Sequence, residues 1–267
     1  MIAIIRREFR EKKTSLIFYC LAILLLLWIY VALFPSLQSQ AETYNKIIDT
    51  MPEAYKKAFG VTGTGLENLG SYLSIELYSL MWPVLTIFFV LARACGSFAG
   101  EIERGTIGTL LAQPISRGRL FIAKYLSSVL ALITLVVVSC ITPIGLAALF
   151  SLQLDAGAFL QLSVMAFGFG MAAFSIGLVC ATILSEKSKA YGITGALFLI
   201  MYVCNILAGI KPSLDSLKYG SLFHYFNASD ILSRHIFSWG SMGLFLLITI
   251  CATMFSYLWF NKRDISI

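Results

Sequence analysis

Six apolar runs, each long enough to cross a bilayer, occupy most of this 267-residue chain. A helical crossing of the hydrocarbon core takes about 20 predominantly apolar residues. The runs are Leu16–Phe34, Leu77–Ala92 (extended upstream by Tyr72–Ser74 beyond Glu76), Tyr125–Leu154, Ala156–Ser185, Ala190–Ile210 and Ile236–Phe260, and none holds a charge. In lipid every backbone N–H and C=O must be satisfied internally, which leaves helices or closed barrels. Runs this long without polar alternation exclude barrel strands. Charged residues make up 13% of the chain, against about 25% in soluble domains. The sequence therefore predicts an all-α membrane protein with six transmembrane helices in a single domain.

The predicted spans are 16–34, 73–96, 120–152, 156–184, 190–210 and 240–260. Residues 1–15 read as an amphipathic helix, with Ile2, Ile5 and Phe9 on one face and Arg6, Arg10 and Lys13 away from it. Such a helix lies in the headgroup interface; an ordinary basic flank of the first span is the alternative. A cleaved signal peptide is the poorer reading, because the first run exceeds a usual h-region and a charged segment precedes it. Cys20, Cys95, Cys140, Cys180, Cys204 and Cys251 lie in or beside apolar runs without a CxxC pair. They read as small hydrophobes, with no disulfide and no metal assigned.

The net charge of +6 is informative through its distribution. With the N-terminus in the cytoplasm, six spans place Arg6, Arg7, Arg10, Lys12, Lys13, Arg93, Arg104, Arg117, Arg119, Lys124, Lys187, Lys189, Lys262 and Arg263 inside, fourteen of the twenty basic residues. Lys46, Lys56, Lys57, Lys211, Lys218 and Arg234 remain outside. The positive-inside rule then puts both termini in the cytoplasm. Because basic charge follows loop parity, topology accounts for it and nucleic acid is not a predicted partner.

The external loop at 35–72 contains Pro52–Gly60, which reads as a short amphipathic helix with Gly60 as its stop, followed by a flexible Val61–Gly65 turn. Pro83 and Pro143 predict kinks in spans two and three. Gly168, Gly170, Ala173 and Gly177 in span four predict close helix packing. The external segment 211–239 reads as short interfacial or re-entrant helices with aromatics at headgroup level. His224 and His235 have no ligand cluster beside them, and Asn227-Ala-Ser229 is a glycosylation sequon by pattern only.

One charged segment sits between spans two and three, from Ala99 to Arg117. Placed on a single helix at 99–113, Glu101, Arg104, Gly105 and Gly108 share one side, and Ile102, Thr106, Ile107 and Leu110 the other. Pro114 would end that helix. Arg117, Arg119 and Lys124 would anchor the start of span three in the headgroups, as Arg6, Arg7 and Arg10 do for the first helix. Composition alone also permits a merely solvated loop.

The pattern Glu-x-Glu-Arg-Gly-Thr…Leu-Leu-x-x-Pro-x-Ser-Arg…Lys, here Glu101, Glu103, Arg104, Gly105, Thr106, Leu110, Leu111, Pro114, Ser116, Arg117 and Lys124, resembles the signature of ABC-2-type transporter permeases. The basic first helix is similar to their elbow helix, Pro52–Gly60 to an element of their first external loop, and Ser221–Phe226 to an aromatic motif before their last span. The resemblance implies that 99–113 is the coupling helix that docks on an ATP-binding subunit. Glu101, Glu103, Arg104 and Thr106 would then be docking residues, with Gly105 and Gly108 permitting close approach. Many relatives carry Glu where this chain has Gly108, a change that costs about 1 kcal/mol of helix propensity.

No Walker A motif is present. The chain is therefore not read as an enzyme, and it binds no cofactor itself. ATP and Mg are expected on a separate ATP-binding cassette partner. A second copy or a paralogous permease is the other expected partner, in the plasma (inner) membrane. The implied function is alternating-access export of a hydrophobic or amphipathic substrate, such as a drug, peptide or lipid-like molecule. A secondary transporter is the rival reading, opposed by the lack of mid-span ionisable residues. So is a membrane anchor that recruits an ATPase without transport. A membrane-embedded enzyme finds no paired carboxylates, HExxH or serine–histidine set in the spans.

Overall fold

The computed structural model describes residues 2–52, 56, 66, 68–111 and 115–263. Among the described residues there is no strand. Among these same residues, six helices are long and apolar enough to cross a membrane. These are α2 (Lys13–Gln38), α5 (Met81–Ser97, continuing into α6, Ala99–Glu103), α8 (Arg117–Leu149), α9 (Ala156–Ile183), α10 (Lys187–Ile210) and α13 (Trp239–Lys262). The shorter helices are α1 (Ile2–Glu11), α3 (Ala41–Thr50), α4 (Leu69–Leu73), α7 (Thr106–Leu111), α11 (Leu222–Tyr225) and α12 (Ala228–Arg234). A 3₁₀ segment, Pro212–Gly220, follows α10. The amphipathic start is a helix of its own, separated from α2 by Lys12 alone.

The bundle is built around α9, which packs on α13, α5, α8 and α10. Its small residues make this possible. A Cβ at Gly168 would stand 2.8 Å from Met242 Sδ, at Gly170 2.8 Å from Leu132 Cδ1, and at Gly177 2.7 Å from Leu91 Cδ2. Three neighbouring helices thus approach the α9 backbone at distances that a side chain would forbid. The helices α5 and α9 are mostly buried, whereas α2, α8, α10 and α13 turn apolar side chains such as Trp28, Ile133, Ile200 and Ile250 outward. In water such a surface would drive aggregation; in a bilayer it meets hydrocarbon.

The two prolines sit in different settings. Pro83 lies in the first turn of α5, where a missing N–H is tolerated. The break comes before it, as a π-helical turn at Ser74–Tyr78 and a non-helical Leu80. Pro143 lies inside α8, which continues through it. It cannot supply the N–H that would bond the carbonyl of Ser139. The Tyr78 hydroxyl donates to that carbonyl instead, at 2.5 Å. The irregular turn in one span thus satisfies the group orphaned in the next.

At the end of the bundle away from the termini, the segment before α13 folds back onto the core. Phe226 stacks on Trp82 with centroids 5.2 Å apart and touches Phe169 at 5.0 Å. Leu222, Ile231 and Leu232 are buried too. Phe226, among the aromatics predicted at headgroup level, is packed into the protein core. Asn227 caps α12 through its side-chain oxygen, and His235, left-handed at φ 56°, ends that helix with Nδ1 3.3 Å from Asp155 Oδ2. Of the predicted Pro52–Gly60 helix only Pro52 and Lys56 are among the described residues, and the Val61–Gly65 turn lies outside them.

Candidate functional site

The charged segment between spans two and three is not one helix. It breaks at Arg104–Gly105, between α6 and α7, with Gly105 at φ +69°. A Cβ there would meet nothing within 4 Å, so the backbone conformation, not crowding, favours glycine. The predicted stop at Pro114 lies outside the described residues.

The break redistributes the predicted docking residues. Glu103, Arg104, Gly105 and Thr106 form an exposed tip, and Gly108 is half-buried. Glu101 faces the other way. It is 4% exposed, and its Oε1 lies 2.6 Å from Lys124 Nζ. A helix broken at 104–105 no longer keeps residues 101 and 105 on one face, so the placement of Glu101 on the docking face is corrected. Ile107, 2% exposed, pins α7 to the core. Among the described residues Arg104 makes no ion pair.

Lys124 is corrected as well. It was expected to reach the headgroups, but its side chain is 0% exposed. Its ammonium is 2.7 Å from Glu8 Oε1 and donates to the Ser97 carbonyl at 2.8 Å. Glu8 also lies 3.1 Å from the Lys12 ammonium, which bonds the Ser97 hydroxyl. Four elements meet here: α1 through Glu8, the end of α5 through Ser97, α6 through Glu101, and α8 through Lys124. Burial opposes the charge on Glu8, yet the Lys12 and Lys124 ammoniums win and hold its carboxyl at about 2, below the ordinary 4.5. Burial brings Lys12 down from 10.5 to about 8 despite the pull of Glu8. Glu8, Glu11 and Glu101 have carboxylate oxygens within 4.8 Å of one another, but each is already paired with a cation, Glu11 with Arg7 and the other two with lysines.

One turn deeper lies Arg93, counted above among the cytoplasmic basic residues. It is 2% exposed, and its Nη2 donates to the Ser127 carbonyl at 3.1 Å. Two of its nitrogens have no partner among the described residues. Buried charge therefore exists in this bundle, grouped near the terminal end.

The tip is tied to further spans. Glu103 accepts the N–H of Lys187 at the start of α10, at 2.8 Å. A Cβ at Gly100 would lie 3.3 Å from Lys187 Cδ, so α6 rests directly on that helix start. Arg117, half-buried, donates to the Arg263 carbonyl, and Arg263 donates to the Thr182 carbonyl at 2.7 Å. Arg119 is exposed, as are Arg6, Arg7 and Arg10.

Sequence reasoning missed Glu8, Lys12, Ser97 and Arg263 as parts of this site. Glu8 carried a signal: an acid four residues before Lys12, inside a predominantly basic segment. Ser97 and the backbone acceptors carried none.

The geometry amounts to an exposed charged tip of four residues, tied to several spans by buried ion pairs and by a hydrogen bond to a helix start. A family model described as "ABC-2 family transporter protein" matches residues 2–265 of the chain. Among curated proteins, no match is found.

Proposed function

Since the chain belongs to the ABC-2 transporter family, it is a multi-pass membrane permease, and we propose that it works as half of an ATP-driven exporter whose cassette partner docks on Glu103–Thr106. Two such chains would form the pathway, either as a homodimer or with a paralogue, with both termini in the cytoplasm of the plasma membrane. ATP and Mg would reside on the cassettes.

The observation that supports this most is the mounting of the tip. Glu103 holds the start of α10, while Glu101 on the same short helix holds Lys124 of α8. Lys124 in turn holds Glu8 of α1. A push on the tip would move α1, α8 and α10 together, because buried ion pairs hold the first two and the Glu103 hydrogen bond holds the third. That is the property alternating access requires of a coupling segment. A solvated loop would have no reason to spend two buried ion pairs and a cap on its own position.

The substrate class follows from what the bundle offers. An almost wholly apolar crevice of about 280 Å³ lies between α5 and α10, lined by Val84, Ile87, Phe88, Leu91, Phe198 and Tyr202 among others. Such a lining favours a hydrophobic or amphipathic substrate over a bare ion.

Arg104→Glu and Thr106→Trp test the docking. Both residues are exposed, so folding and membrane insertion should survive. A charge-assisted hydrogen bond contributes roughly 1.5–3 kcal/mol, so Arg104→Glu should weaken cassette binding at least about tenfold. Pull-down of the co-expressed cassette protein and ATPase activity in nanodiscs are the readouts. If both variants retain wild-type binding and activity, the tip is not the docking site.

A further inference from the structure

We propose that the cleft between α1 and α8 is a discrete binding site for one anionic phospholipid. The cleft has a volume of about 870 Å³ and is lined by Ile2, Ile5, Phe9, Leu130, Ile133 and Thr134 together with Arg6, Arg10 and Lys13. The sequence reading put the apolar and cationic residues of α1 on separate faces. In the fold they border one cleft, because Ile4 and Glu8, not Ile5 and Phe9, form the most deeply buried face of that helix.

Charge complementarity identifies the headgroup. Both carboxylates of α1 are engaged elsewhere: Glu8 with Lys12 and Lys124, and Glu11 with Arg7 at 2.7 Å. Arg6, Arg10 and Lys13 are exposed and have no ion-pair partner among the described residues. Three uncompensated cations, each about one turn from the next along the chain, border the one cleft and offer donors to an anionic headgroup. Arg7 is excluded from this set by its own pair.

The floor identifies the rest of the ligand. Leu130 and Ile133 continue into Val137 and Ile141, all four exposed at helical spacing along α8. That stripe belongs to the surface that only hydrocarbon can cover, so an acyl chain lying along it would remain in its own solvent. A polar anion would leave the stripe unused, and a zwitterionic lipid would set its own cation against the three on the rim. An anionic phospholipid satisfies both parts.

The experiment is native mass spectrometry of the full-length chain, purified in detergent and supplied with phosphatidylglycerol or phosphatidylcholine. A juxtamembrane Lys or Arg contributes roughly a fivefold preference for anionic lipid. The wild type should therefore retain phosphatidylglycerol well above phosphatidylcholine. Arg6→Gln/Arg10→Gln/Lys13→Gln should lower that retention by at least about tenfold. Arg6→Lys/Arg10→Lys should keep most of it, and Arg7→Gln should leave it unchanged. Equal retention of phosphatidylcholine, or an Arg7→Gln loss as large as that of Arg6→Gln, would mean undirected attraction to the bilayer surface and would overturn the site. So would displacement of the lipid by inorganic phosphate alone, which would indicate a free-anion site. Cassette binding plays no part in the measurement, so its outcome is independent of the docking proposal.

Discussion

Lys124 sits between two carboxylates with no exposed surface. Removing one partner of a buried pair costs about 3–5 kcal/mol, because the survivor is left charged and dry. Glu8→Gln leaves Lys124 its bond to Glu101, so its loss should fall near the lower figure. Lys124→Met leaves Glu8 and Glu101 facing each other and should cost more. Thermal melting in detergent would rank the two, and the reverse order would refute the geometry. Acid should act through the same residue. Glu8 is held at about 2 when folded against 4.5 ordinarily, so it contributes stability above about 4.5 that drains away as pH falls toward about 2. Glu8→Gln should therefore flatten the acid limb of the melting curve.

At the scale of the element, the glycines of α9 and α10 make contrasting predictions. Gly170 has Leu132 at 2.8 Å from a hypothetical Cβ, while Gly195 has nothing within 4 Å. Overpacking a core usually costs about 1–3 kcal/mol. Gly170→Leu should therefore lower the melting temperature markedly, by prising α8 from α9. Gly195→Ala should leave it unchanged or raise it, since helix propensity favours alanine by up to about 1 kcal/mol. An unchanged melting temperature in Gly170→Leu would show that α9 does not need its bare backbone. Sequence located these glycines; which helix each one admits is a matter of rotation, and periodicity does not give the rotation of a uniformly apolar helix.

For the whole molecule, the charge bias makes the topology testable. In a background lacking the six cysteines, single cysteines at Lys56 and Lys218 should react with an impermeant reagent from outside. Those at Arg117 and Lys187 should react only from the cytoplasmic side. External labelling at residue 117 would break the six-span arrangement. The outward apolar faces of α2, α8, α10 and α13 are where lipid or a second chain would lie.

Six helices and the family resemblance were legible in the chain, because hydrocarbon imposes one rule on every spanning residue and the pattern repeats for about 20 positions. The exposed part of the candidate site, Glu103 to Thr106, was legible as well, being contiguous. Its mount was not. Glu8, Ser97, Glu101 and Lys124 are far apart in sequence and meet only when α1, α5, α6 and α8 pack. Nor could periodicity show that Gly105 takes a positive φ and turns Glu101 inward, since a helical projection assumes the continuity that the turn abolishes. The sequence determined which segments enter the membrane, because that depends on local composition. The tertiary structure decided which charges are exposed and which are buried between the helices, because burial depends on what packs alongside.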